Sequence, residues 1–320
     1  MGAILEVTVP FFALVLAGYL AGRRHVLPES AIPGLNAFVL YFALPALLFR
    51  FGASTPIFDL LNPAVVVTWM AAGGLVVFLA VTTSLNARVG LKDAAFGGLV
   101  AAFPNTGFMG VPLLVALMGP AAAGPVICAV LVDLFITSST CIALAQWDPA
   151  GHGGRLAALR ALRGALSNPL PWSIAAGALF SVLGLKLPGP VDSIVKMLAD
   201  ASTPVALFTI GAVLWRAGQH AHTRTPVADY LPVALIKLFL HPLLVFALGA
   251  ALHVLGAPIS NFQIAVLTLG AALPSASNVS LLAERYQADN GRIARIILAS
   301  TALAFVTFSA VAWLFGAGVK

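Results

Sequence analysis

Ten apolar stretches, each near the roughly 20 residues that a helix needs to cross a bilayer, follow one another with short polar breaks between them. No other feature limits the fold so strongly, because backbone in hydrocarbon must satisfy its own hydrogen bonds and a helix does so within a single segment. The stretches fall near residues 2–22, 32–50, 63–86, 94–118, 124–146, 169–187, 194–214, 230–254, 261–283 and 293–315. Only 9% of the residues are charged and the mean hydropathy is +1.01, whereas soluble domains run near a quarter charged. The chain therefore reads as an all-α, multi-pass membrane protein. Its first stretch has no basic residue before it and no soluble region after it, so a span is expected and not a cleaved signal. Cys128 and Cys141 share one apolar stretch without pairing or metal spacing and read as packing residues.

One break is longer than the rest. Residues 147–168 carry Asp148, Pro149, Gly151, Gly153, Gly154, Arg155, Arg160 and Arg163, too polar a set for lipid. This linker divides the chain into 1–146 and 169–320, with five spans on each side. Basic residues collect in cytoplasmic loops. Arg23, Arg24, Arg88, Lys92, Arg155, Arg160, Arg163, Arg216, Arg224, Arg285 and Arg292 lie in or beside the loops after odd-numbered spans, against Arg50, Lys186, Lys196 and Lys320 on the other side. Both termini are thus expected outside, with the linker in the cytoplasm of a bacterial inner membrane. The net charge of +6 then calls for no nucleic-acid partner; membrane lipid is the anionic surface at hand.

Five spans per half reverse the second half relative to the first, so a repeat would be inverted. Leu44-Pro45-Ala46-Leu47-Leu48-Phe49 before Gly52-Ala53 matches Thr203-Pro204-Val205-Ala206-Leu207-Phe208 before Gly211-Ala212. Pro104-Asn105-Thr106 before Leu113-Leu114-Val115-Ala116 matches Pro274-Ser275-Ala276-Ser277-Asn278 before Leu281-Leu282-Ala283 only across a two-residue gap. These last segments also interrupt spans four and nine. Proline removes a donor and clashes with the carbonyl four residues back, and the freed groups need protein or a water-lined cavity around them. Half-helices meeting at such breaks present N–H groups at one end and carbonyls at the other, a recurrent substrate and ion site in carriers. Pro104, Asn105, Thr106, Pro274, Ser275, Ser277 and Asn278 are the candidate substrate contacts; proline kinks in packed helices are the plainer alternative.

The stretch from Phe103 to Leu114, together with Leu40 to Phe49 and Leu273 to Val279 running on to Ala283-Glu284-Arg285-Tyr286, resembles the auxin efflux carrier family. The resemblance extends over essentially the whole chain. It implies ten helices in two inverted five-helix repeats, similar to bile-acid sodium symporters, with spans four and nine crossing at their breaks and Pro104 and Asn105 at the first crossover. Plant members carry a different residue after the second proline, where this chain has Ser275, and the amide comes later, at Asn278. Many of them also have a long cytoplasmic loop that is absent here. A bacterial-type carrier of mono- or dicarboxylates fits better than an auxin carrier.

Ionisable groups inside spans cost roughly 3 kcal/mol on insertion scales and call for a role or a partner. Asp133 in span five is a candidate for proton or sodium coupling or, equally, a structural partner of a cation or hydroxyl. Lys237 and His241 in span eight are four residues apart and share a helix face. Lys237 can attract the substrate carboxylate, pair with Asp133 or snorkel to an interface. Glu6 lies near the start of span one and can simply reach the outer interface. His220 and His222 read as a solvated loop and not a metal site. No Walker loop or catalytic signature is present, so no cofactor beyond a coupling proton or sodium ion is expected, and no enzyme activity. A secondary carrier of a small organic anion is the leading reading, with a second copy of the chain as a candidate partner. The alternative is a membrane sensor or regulatory subunit that binds at the same breaks without transport.

Overall fold

A computed structural model describes residues 2–55, 62–147, 163, 166–219 and 225–317. Most of the 147–168 linker lies outside the described residues, as do His220, His222, Arg224 and Lys320. Among the described residues the chain is all-helical, with no strand. The helices are α1 (Gly2–Arg23), α2 (Glu29–Ser54), α3 (Pro63–Ser84), α4 (Leu91–Ala102), α5 (Thr106–Met118), α6 (Pro120–Ala145), α7 (Pro169–Val182), α8 (Gly189–Gln219), α9 (Val227–Val254), α10 (Asn261–Ala272), α11 (Val279–Arg285) and α12 (Asn290–Leu314). Seven of these, α1, α2, α3, α6, α8, α9 and α12, are long and apolar enough to cross a membrane. Spans four and nine are each two pieces, α4 with α5 and α10 with α11, interrupted at the predicted prolines. Span six is shorter than expected because Gly184, at φ +61, turns the chain out of the helix; span seven is longer, running to 31 residues.

Side chains from the loops fix several helix starts. Asn62 accepts from the amides of Ala64 and Val65 at the start of α3 and donates to the carbonyl of Pro258. Ser260 and Gln263 form a reciprocal capping box at α10, and Asp289 caps α12 through the amide of Arg292. Each satisfies donors that a helix start leaves open.

The most extensive helix pairs are α1 with α8 and α2 with α7, followed by α3 with α4 and α9 with α10. The first two are close crossings made over glycine: Gly18 meets the backbone of Phe208 and Gly211 that of Val15, while Gly52 meets Ile174 and Gly177 meets Phe49. A Cβ at any of the four would collide with backbone that cannot rotate away. The core runs between these pairs and the interrupted helices, with Leu44, Leu99, Leu113, Val266 and Ile296 fully enclosed.

Loops after odd-numbered spans gather at one end. Arg88 pairs with Asp229 at 3.2 Å, Arg216 with Glu29 at 3.3 Å, and Asp93 accepts from the amide of Asp289. Arg292, counted above with the loop cations, is instead 1% exposed. Its guanidinium donates to the carbonyls of Asp229 (2.7 Å) and Asp93 (2.8 Å) and to Ser84 Oγ (2.8 Å), and Gly97 leaves the room it fills. It is a staple joining α3, α4, α9 and α12. At the opposite end, Arg50 pairs with Asp192 at 2.7 Å.

Candidate functional site

The two interruptions touch. Phe103 and Leu273 leave their helices in extended conformation, and Pro104 and Ser275 face each other in an isolated antiparallel bridge. The amide of Asn105 donates to the carbonyl of Pro274 at 2.8 Å, and that of Ala276 to the carbonyl of Phe103 at 3.0 Å. Pro104 has no N–H to give, and the two bonds flank the Pro104–Ser275 pair, one from the Asn105 amide and one from the Ala276 amide. Ser275 is also held from α12, its amide donating to Ser300 Oγ at 3.2 Å.

Polar side chains here lack partners. Asn105 Oδ1, Ser275 Oγ and Asn278 Oδ1 are buried without a hydrogen bond among the described residues. Such groups cost about 1–3 kcal/mol each when left unmet, and three of them fall at the two breaks. Asn105 and Ser275 are 2% and 1% exposed, while Asn278 is half-buried. Thr106 is fully enclosed and turns its hydroxyl to the Pro104 carbonyl; Ser277 is buried nearby. The sequence-predicted contacts at the two breaks therefore form one group. A cleft of about 370 Å³ between α2 and α8 on one wall and α11 on the other reaches Ser280, two residues beyond Asn278.

The intramembrane charges form a second cluster. Asp133 Oδ1 accepts from Trp69 Nε1 (2.9 Å) and Thr137 Oγ1 (3.1 Å), while its Oδ2 has no partner among the described residues. Lys237 Nζ lies 3.2 Å from His241 Nδ1 and donates to the carbonyl of Ala271, in the last turn of α10 before the second break. The Trp69 and His241 rings stand 5.4 Å apart. Asp133, Lys237 and His241 are all completely buried. Asp133 and Lys237 each sit in a π-helical turn, Asp133–Thr137 and Ile236–Leu240, a widening frequent at functional sites.

Two expectations are corrected. Lys237 does not snorkel, because its ammonium points into the bundle towards the α10 carbonyl. Nor does it form an ion pair with Asp133: among the described residues the carboxylate is taken by an indole and a hydroxyl and the ammonium by an imidazole and a carbonyl. Glu6 stays apart, exposed on α1. Trp69, Thr137 and Ser300 escaped the sequence reading. Thr137 was findable from its position four residues after Asp133, whereas Trp69 and Ser300 lie on other helices with no local mark.

Known proteins match this sequence along nearly its whole length. The model of the family described as "Membrane transport protein" matches residues 3–152 and 155–312. A Rhizobium meliloti protein named "Putative malonate transporter" is 30% identical over 99% of this chain and 98% of its own. The uncharacterized transporter YfdV of Escherichia coli is 26% identical over 96% and 95%, and auxin efflux carrier component 8 of Arabidopsis thaliana 22% over 88% and 89%. With apolar helices repeated along the chain and a family match covering nearly all of it, this protein belongs to the membrane transport protein family that includes the auxin efflux carriers, and is a multi-pass membrane transporter and not an enzyme.

Proposed function

We propose that this transporter is a secondary carrier for a small organic anion, a mono- or dicarboxylate, working by alternating access at crossed broken helices. The observation that carries the reading is the bridge between the two breaks with Asn105, Ser275 and Asn278 left unpartnered around it. Each amide has both donors and acceptors, a serine hydroxyl can donate, and the start of α5 offers backbone N–H groups with positive dipole character. A carboxylate accepts only, so it would be met by the Nδ2 groups of Asn105 and Asn278, the Ser275 hydroxyl and the α5 N–H groups, while the open amide oxygens would suit a hydroxyl or a coupling cation. The name of the Rhizobium meliloti relative makes malonate the first anion to try.

The architecture behind the mechanism is ten spans in two inverted five-helix repeats, 1–146 and 169–320, joined by the 147–168 linker. Its support is a symmetry of contacts. Span one packs on span seven as span six packs on span two, spans three and four pair as do eight and nine, and the glycine of each repeated motif, Gly52 and Gly211, lies at a close crossing. The basic loops favour both termini outside a bacterial inner membrane. Asp133, Lys237 and His241 are the coupling group, with a proton or sodium ion as the driving partner; Lys237 is also a fixed cation against the end of α10. A homodimer is compatible with this arrangement.

The reading is tested by uptake of labelled mono- and dicarboxylates into proteoliposomes. Asn105→Ala is expected to cut uptake by about tenfold or more, the scale of one lost charge-assisted hydrogen bond. Unchanged uptake in that variant would remove the crossing as the binding site.

A further inference from the structure

A second polar concavity lies away from the crossing. Where the loops after odd-numbered spans gather, Lys92, Arg163 and Arg285 line a cavity of about 670 Å³ with Gln146, Ser167 and Tyr286. That size suits a small ligand. Among the described residues no carboxylate lines it, and none of the three cations belongs to an ion pair. Among the described residues at this end, Asp229 pairs with Arg88, Glu29 with Arg216, Asp93 accepts from the amide of Asp289, and Glu284, next to Arg285, lines the cleft between α2, α8 and α11 instead. Lys92, Arg163 and Arg285 are all exposed, so three like charges around one hollow set up a positive potential there that favours an anion and weakens with salt.

The position matters as much as the charge. Lys92 is in the first turn of α4 and Arg285 ends α11, the two half-helices that lead to the breaks. Phe96 and Tyr286 tie them together, their rings 6.1 Å apart. The seven residues of α11 span roughly 10 Å at helical rise, so the cavity stands about that far from the second break.

We infer that this cavity is an anion-docking site on the cytoplasmic face, separate from the crossing, which takes a carboxylate or phosphate group through Lys92, Arg163 and Arg285. Its cargo role rests on the organic-anion reading above. The same oxygen chemistry is offered by a free carboxylate and by the phosphodiester of an anionic lipid.

The experiment uses the full chain in phosphatidylcholine nanodiscs, with malonate and inorganic phosphate as probes and titration of thermal unfolding as the readout. Wild type and Asn105→Ala are both expected to bind a probe. Lys92→Gln with Arg285→Gln should raise its Kd about tenfold and flatten its salt dependence, while Lys92→Arg with Arg285→Lys should restore binding to within about twofold. The proposal is overturned if neither probe shifts the wild type, or if the glutamine variant binds both as the wild type does. Adding phosphatidylglycerol separates the sources. Competition with the probe in wild type, absent in the glutamine variant, identifies a lipid headgroup as occupant, and lack of competition identifies a free anion. Phosphate binding that persists in a protein unable to transport any carboxylate overturns the organic-anion reading and leaves the docking site standing.

Discussion

Asp133 and Lys237 show how a buried charge can be held without a direct counter-ion. Trp69 and Thr137 satisfy one carboxylate oxygen, and His241 with the Ala271 carbonyl satisfies the ammonium, so each charge has hydrogen bonds of its own. The second carboxylate oxygen and His241 Nε2 remain open for a proton or an ion. Asp133→Asn keeps an acceptor for Trp69 and removes the ionisable group. It is expected to abolish gradient-driven accumulation while substrate exchange across the membrane continues, as compared by uphill uptake and counterflow. Lys237→Met leaves the Ala271 carbonyl and His241 Nδ1 without the ammonium that meets them and should lower the melting temperature by several degrees, since a buried polar group left unmet costs about 1–3 kcal/mol. Combining the two substitutions should cost somewhat less than the sum of the single losses, because the two groups attract through space without a direct hydrogen bond. Additive losses in the thermal cycle would show that the two groups do not sense each other.

At the scale of elements, the same residue type has opposite meanings on different helices. Gly211 in α8 sits against the backbone of Val15 and Tyr19, whereas a Cβ on Gly107, beside the first break, would meet nothing within 4 Å. Gly211→Ala therefore forces α1 and α8 apart and should cost about 1–3 kcal/mol, the usual range for overpacking. Gly107→Ala should leave the melting temperature unchanged within a degree or so, since an alanine there adds no clash and favours helix. Thermal unfolding of the purified variants distinguishes them. The broken helices follow a different logic. Where the helices stop, the carbonyls of Phe103 and Pro274 are met across the crossing by the amides of Ala276 and Asn105, so each break stabilises the other in a way that neither half-helix could alone.

For the molecule as a whole, the clearest open choice is the driving ion. Imposing a proton gradient and a sodium gradient separately on proteoliposomes is expected to give concentrative uptake with one of them, and that dependence should vanish in Asp133→Asn. Retained dependence in the variant would move coupling away from this cluster. The membrane class, the all-helical fold, the two interrupted helices and the family resemblance were legible in the sequence. They depend on hydropathy and on proline, and both act locally along the chain. The sequence also located Asn105, Ser275 and Asn278 as polar groups in apolar surroundings. It left Asp133 and Lys237 with alternatives and counted Arg292 among the loop cations, although that side chain is buried. Burial, pairing and direction of a long side chain are set by which helices pack against it, and those neighbours lie far away in the chain: Trp69 for Asp133, Ala271 for Lys237, Ser84 and Asp93 for Arg292. By itself, then, the sequence determined that the chain crosses a membrane repeatedly and breaks its helices twice, because lipid admits few backbone solutions. Only the tertiary structure decided that the breaks bond to each other and that Lys237 turns inward, because contacts between distant segments follow from packing that no local pattern encodes.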